Sequence, residues 1–273
     1  MGRSPLILCA GCLKHKTTAG VFVELLGLSD VGLSVAWGVV TPFDCFVLGY
    51  CVSHSNCTWR IDLRGCHIGD EGVEMLVRGA VEEETNCTGG ISEIHLGWNN
   101  VTTEDVKHLL KLQTKLINKL KSLNLCTNYL DSESCATLAH LIPHMPHLKE
   151  LILSTNHDIG PGGTIPLIRS LTALNSLEEL DLHWTAIGVE DCRALSELLS
   201  SSTSLKYLDV GVNHLPPEGV ELIISGLRHN TTLIRQVIAH DILTLFSPEH
   251  HLIGFSAKNK SHPRYPRTTT MPH

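Results

Sequence analysis

The chain has 273 residues, 42% hydrophobic, 18% charged and 5% aromatic, an apolar mass that excludes a disordered chain. Its 12 Pro and 22 Gly are too few for a collagen-like or low-complexity one, and a net charge of −7 disfavours general affinity for nucleic acid, whose binding term is electrostatic. The 42 leucines far outnumber the 13 Phe, Tyr and Trp, so the core is expected to be many copies of one small packing unit.

Residues 1–41 match no repeat. The apolar run 6–13 is short for a signal peptide and no small-x-small cleavage site follows it. The uncharged stretch 31–43 contains Pro42 and falls short of the roughly 20 residues of a membrane helix, so no membrane span is expected. Thr41-Pro42-Phe43-Asp44 then reads as an N-cap, a proline in the first turn and an acid, opening a helix over 42–53 with Phe43, Val47, Leu48 and Cys51 on its apolar face. Such a helix is half of a unit whose strand lies upstream.

Six segments follow on the pattern L-x-x-L-x-L-x-x-N, centred on Asp62, His95, Asn124, Ile152, Asp181 and Asp209, at spacings of 33, 29, 28, 29 and 28. Within a unit the period changes: Leu180 and Leu182 alternate as in a strand, whereas Val189, Cys192, Leu195, Leu198 and Leu199 line one helix face. A strand and a helix every 28 or 29 residues is a leucine-rich repeat of the long type. One unit cannot bury its own apolar face, so the units stack into an α/β solenoid, a horseshoe with parallel strands inside and helices outside. It is expected to span 42–238: a leading helix, about six units, and a degenerate seventh with Gln236 at a leucine position. The composition of 239–273 reads as a disordered tail.

The ninth motif position holds Cys66, Asn99, Asn128, Asn156, Thr185 and Asn213. Here the chain leaves the strand, and a short polar side chain must bond backbone groups that the turn would otherwise bury unpaired. These six are therefore structural. Cys135 and Cys192 fall where other units carry Val106 and Val220, and so read as small apolar core residues, reduced thiols of a cytosolic protein. Five Asn-x-Ser/Thr triplets, at Asn56, Asn86, Asn100, Asn230 and Asn259, keep a secreted recognition protein open as a third reading.

Chemistry is sparse. His144 with His147, Cys51 and Cys57 with His54, and Cys9 and Cys12 with His15 each lack the second ligand pair of a structural zinc site. No nucleophile, base and oxyanion donor converge, so neither catalytic residues, metal nor cofactor are expected, and the chain reads as no enzyme. The working surface is instead the concave face. Its outward columns collect acids in the later units, at Glu150, Glu179, Asp181 and Asp209, together with His183 and Tyr207, while Trp98 and Trp184 stand beside the turns. Residues 59–232 carry a net −10 and the ends a net +3, so a basic protein is the expected partner, with Trp184 and Tyr207 as anchors.

The 28/29 alternation, the L-x-x-L-x-L-x-x-[NC] strand and turns such as Ile187-Gly188-Val189-Glu190-Asp191 resemble the ribonuclease-inhibitor class of leucine-rich repeats. Over 42–235 the wording is most like the C-terminal repeats of NACHT-containing NOD-like receptors. That resemblance implies a cytoplasmic, non-catalytic protein-interaction module, the sensing or autoinhibitory repeats of an innate-immune receptor, with no oligomeric state implied. A soluble enzyme regulator, of the ribonuclease-inhibitor or small-GTPase-activator type, is the alternative. The nearest approach to a phosphate loop, residues 11–18, has His15 where the second glycine belongs, so nucleotide hydrolysis is not expected.

Overall fold

The computed structural model describes residues 6–8, 30–81, 87–112, 114–233 and 235–237. The loop 11–18, the Cys9, Cys12 and His15 grouping, the triplets at Asn86 and Asn259 and the segment 239–273 lie outside the described residues.

Among the described residues, nine parallel strands follow one another in sequence order across one sheet: β1 (Leu6–Leu8), β2 (Asp30–Ser34), β3 (Thr58–Asp62), β4 (Gly90–His95), β5 (Ser122–Asn124), β6 (Glu150–Ile152), β7 (Glu179–Asp181), β8 (Tyr207–Asp209) and β9 (Arg235–Val237). One apolar row holds the register: Leu33, Ile61, Ile94, Leu123, Leu151, Leu180 and Leu208 lie opposite one another from β2 to β8. A slip of one residue would turn that whole row outward. In β9 the backbone of Gln236 pairs opposite Leu208.

Helices return the chain across the other side: α1 (Pro42–Ser53), α2 (Gly69–Val81), α3 (Thr103–Leu109), α4 (Thr114–Ile117), α5 (Ser132–Leu141), α6 (Ile165–Leu171), α7 (Val189–Ser201) and α8 (Pro217–Leu227). Between sheet and helices runs one continuous apolar core from Leu33 to Ile223. The strand that α1 required is β2, and α1 begins as expected. The Thr41 hydroxyl accepts from Asp44 N–H at 3.2 Å, and the Asp44 carboxylate accepts from Thr41 N–H at 2.9 Å.

Of the expected apolar face of α1, Leu48 and Cys51 are buried and Val47 packs half-buried against the core, but Phe43 does not join them. Cys45, Leu48 and Val52 form the buried stripe, and Phe43 is 68% exposed. At 100° per residue Phe43 lies off the line through Cys45, Leu48 and Val52, and the following helix, α2, packs on the side of Gly49. That helix approaches very closely. A Cβ built on Gly49 would sit 2.0 Å from Leu76 O, and one on Gly79 would sit 2.1 Å from Phe46 O.

Acids close the helix starts. Asp191, fully buried in α7, accepts Gly188 N–H at 2.9 Å and reaches into the preceding unit for Gly162 N–H at 2.6 Å, Thr164 N–H at 3.1 Å and the Thr164 hydroxyl at 2.5 Å. Asp105 occupies the same place in α3 but meets the Asp70 carboxyl where Asp191 meets donors. Burial, reinforced by Asp70, pushes its carboxyl up to about 7.

Candidate concave binding face

The ninth-position side chains form a continuous ladder. Asn128 Oδ1 accepts Asn99 N–H and Val101 N–H, both at 3.0 Å. Its Nδ2 donates to Leu96 O at 3.0 Å, Leu125 O at 2.9 Å and Cys126 O at 3.2 Å. Asn99, Asn156 and Asn213 repeat the pattern with their own neighbours. Cys66 performs part of it, its thiol donating to Val35 O at 3.2 Å, and Thr185 donates to Leu182 O at 2.7 Å. All six positions take part in this turn-holding network.

One residue earlier, the backbone is left-handed in every unit: Trp37, Gly65, Trp98, Thr127, Thr155, Trp184 and Val212 have φ between 52° and 65°. Each non-glycine there costs about 1 kcal/mol, because its Cβ crowds the carbonyl. Trp37, Trp98 and Trp184 are 62%, 44% and 46% exposed, so the core does not return that cost.

The expected site residues divide into two groups. Trp98 stands apart from the others: its ring lies 5.7 Å from that of Trp37 at 54°, and a Cβ on the intervening Gly65 would come within 2.3 Å of the Trp37 ring. It is three strands away from Trp184. The remainder are adjacent. Glu150, Glu179 and Tyr207 lie in register on β6, β7 and β8, and Asp181 lies beside Asp209. The Tyr207 hydroxyl donates to Asp209 Oδ2 at 3.1 Å, and His183 Nδ1 is 3.5 Å from Asp209 Oδ1. That contact raises His183 above the ordinary histidine range, against a smaller opposing effect of burial.

The fifth column has a role that its outward direction hid. Asp62, Asn124, Asp181 and Asp209 each accept the backbone N–H two residues on, from Arg64, Cys126, His183 and Gly211 at 3.2, 3.0, 3.0 and 2.9 Å. Asp181 is only 5% exposed. It is a turn brace first, and the more accessible carboxylates of the patch are Glu150, Glu179 and Asp209. The Ser122 hydroxyl donates to Glu150 Oε2 at 2.9 Å and lies 3.2 Å from His95 Nε2, so a polar chain crosses β4 to β6.

The earlier strands carry the cations of this face. A cavity of about 330 Å³ is walled by Arg60, Asp62, Arg64, Glu93, His95 and Asn124. Arg64 clamps Asp62 with Nε at 2.8 Å and Nη2 at 2.7 Å, which holds the Asp62 carboxyl below its usual range despite burial. Burial pushes the thiols of Cys45, Cys135 and Cys192 up to about 12 and those of Cys51 and Cys126 up to about 11. Among the described residues no three His, Cys, Asp or Glu side chains gather to hold a metal ion, and no helix is long and apolar enough to cross a membrane.

The family model described as Leucine Rich repeat matches residues 60–77, 144–167, 173–196 and 201–223, in register with the strands and ladder. The matched segments are leucine-rich repeats, and their period and asparagine ladder resemble the ribonuclease-inhibitor type. The repeats are similar to those of human NACHT, LRR and PYD domains-containing protein 13, 26% identical over 187 residues, covering 68% of this chain and 17% of that protein. They are also similar to mouse ribonuclease inhibitor, 25% identical over 228 residues, covering 75% of this chain and 48% of the inhibitor. The chain thus spans about a sixth of the first relative and about half of the second. A solved structure described as Rad7 and Elc1 complex in yeast superposes with a TM-score of 0.46 at 15% identity, covering 80% of this chain and 59% of that one. A leucine-rich-repeat array with these relatives is a protein-interaction module.

Proposed function

We propose that the concave face over β6 to β8 binds a basic protein surface without catalysis, as the sensing or autoinhibitory repeats of a cytoplasmic, innate-immune NOD-like receptor. The observation that carries this reading is the side-by-side register of Glu150 and Glu179, with Asp181 and Asp209 beside them. Like charges on neighbouring strands destabilise a sheet, and a cationic ligand relieves that repulsion. Tyr207 and Trp184, half-buried and 46% exposed, flank the acids as anchors.

Replacing Glu150 and Glu179 together by Lys is expected to weaken binding of a blocked oligolysine probe on the order of tenfold at low salt, and Gln at both sites by less. Asp181 is left intact because its loss would open a turn. Isothermal titration of the full chain decides it: equal affinity in all three proteins, or oligoglutamate bound as well as oligolysine, overturns the reading.

Acidity is expected to act through His183. As pH falls through its raised value the imidazolium adds a positive charge beside Asp181 and Asp209, and oligolysine affinity drops about five-fold. The same protonation favours the folded state. A group raised in the native protein contributes stability that is full below its ordinary value and lost as pH rises, so weaker binding at low pH is not unfolding. In His183→Gln that pH dependence should vanish.

The similarity to mouse ribonuclease inhibitor favours a second reading, occlusion of a basic enzyme. The two readings differ upstream. A receptor requires an in-frame NACHT module before residue 1 in the gene, whereas a free regulator inhibits a cationic ribonuclease as the chain stands.

A further inference from the structure

The acidic patch lies close to β9, the last described strand. β9 pairs with β8, so Val237 lies one strand beyond Asp209 and three strands beyond Glu150. At about 4.8 Å per strand, the whole patch is within about 15 Å of Val237. The sequence that follows has complementary chemistry. Residues 256–273 contain Lys258, Lys260, Arg264 and Arg267 and no acid. They also contain Pro263-Arg264-Tyr265-Pro266-Arg267, in which two fixed φ angles lower the entropy lost on docking and Tyr265 supplies a ring for Trp184 or Tyr207. The 18 residues 238–255 reach at most about 60 Å, several times the span required.

We infer that the basic segment 256–273 is itself a ligand of the acidic concave face over β6 to β8, and occupies it in cis until a competing basic partner displaces it. The inference rests on the proposed preference of that face for cations and names its first occupant. Tethering explains how a weak contact suffices. A short linker holds the segment at an effective concentration on the order of 1 mM, so an intrinsic Kd of about 0.1 mM leaves the face open about a tenth of the time. An external ligand then binds about tenfold more weakly than to the open face.

Carbodiimide coupling of the full chain, which joins a lysine amine to a carboxylate in contact with it, tests the contact directly. Expected are amide links from Lys258 or Lys260 to Glu150 or Glu179, equal in yield across dilution, and lost in salt high enough to shorten the screening length to about 4 Å. In parallel, a chain with Lys258, Lys260, Arg264 and Arg267 all changed to Glu should bind the oligolysine probe about tenfold more tightly than the unaltered chain. Links that form only between chains, or unchanged oligolysine affinity after the tail reversal, overturn occupation in cis. If oligolysine couples to Glu150 and Glu179 but the tail does not, this inference fails and the preference for cations stands. If neither couples, both fail.

Discussion

Gly49→Ala in α1 and Gly79→Ala in α2 are each expected to destabilise the protein by about 2 kcal/mol, although alanine is the better helix former by about 1 kcal/mol. The two glycines form a reciprocal contact. An added Cβ on Gly49 meets Leu76 O at 2.0 Å and Ala80 N at 2.8 Å, and one on Gly79 meets Phe46 O at 2.1 Å and Tyr50 N at 3.0 Å. Those neighbours are backbone atoms, which cannot rotate aside, so the helices must separate and loosen the packing of Leu48, Leu76 and Ala80. Once apart, they leave room for both methyl groups. The double variant should therefore lose clearly less than the sum of the singles, a coupling that urea denaturation of the three proteins measures. Additive losses, or a gain in either single variant, would mean that the helices are not in backbone contact.

The strands from β3 to β8 and the core row through them were legible because periodicity and register share one cause, a leucine that must face inward in every unit. Strand β2 was hidden because its unit carries Val35 at an inner leucine position and Gly38 at the ninth, where no side chain exists to mark the turn. The pairing of Trp98 with Trp37 was hidden with it, since that contact bridges a unit the motif did not register. Phe43 was misplaced for a different reason: composition identifies an apolar residue, but only the angle between helices decides which face they share. In the concave patch, column arithmetic located the acids and the structure divided their labour. An Asp or Asn two residues before a turn is a known brace for it, and that local pattern, present at Asp62, Asn124, Asp181 and Asp209, was the signal available in the sequence. Surface charge and turn chemistry use the same residue types, and burial separates them.

Asn128→Ala is expected to cost at least about 3 kcal/mol, more than loss of any exposed acid on the face. Its side chain satisfies Asn99 N–H, Val101 N–H and Leu96 O across the boundary with the preceding unit, and Leu125 O and Cys126 O within its own. Alanine leaves those groups in a site that is 8% exposed at Asn128 and fully buried at Asn99 and Val101, each unpaired group costing about 1 kcal/mol or more. Chemistry separates the two halves of the effect. Asp keeps the acceptor for the two N–H groups but cannot donate to the carbonyls while ionised, so Asn128→Asp should lie between wild type and alanine at low pH and fall toward alanine as pH rises. Because the amide ties one unit to the next, the loss should also appear as reduced amide-exchange protection at Asn99 and Val101. Exchange unchanged at those two amides, with stability lowered, would place the defect in the turn of one unit instead of in the joint between two.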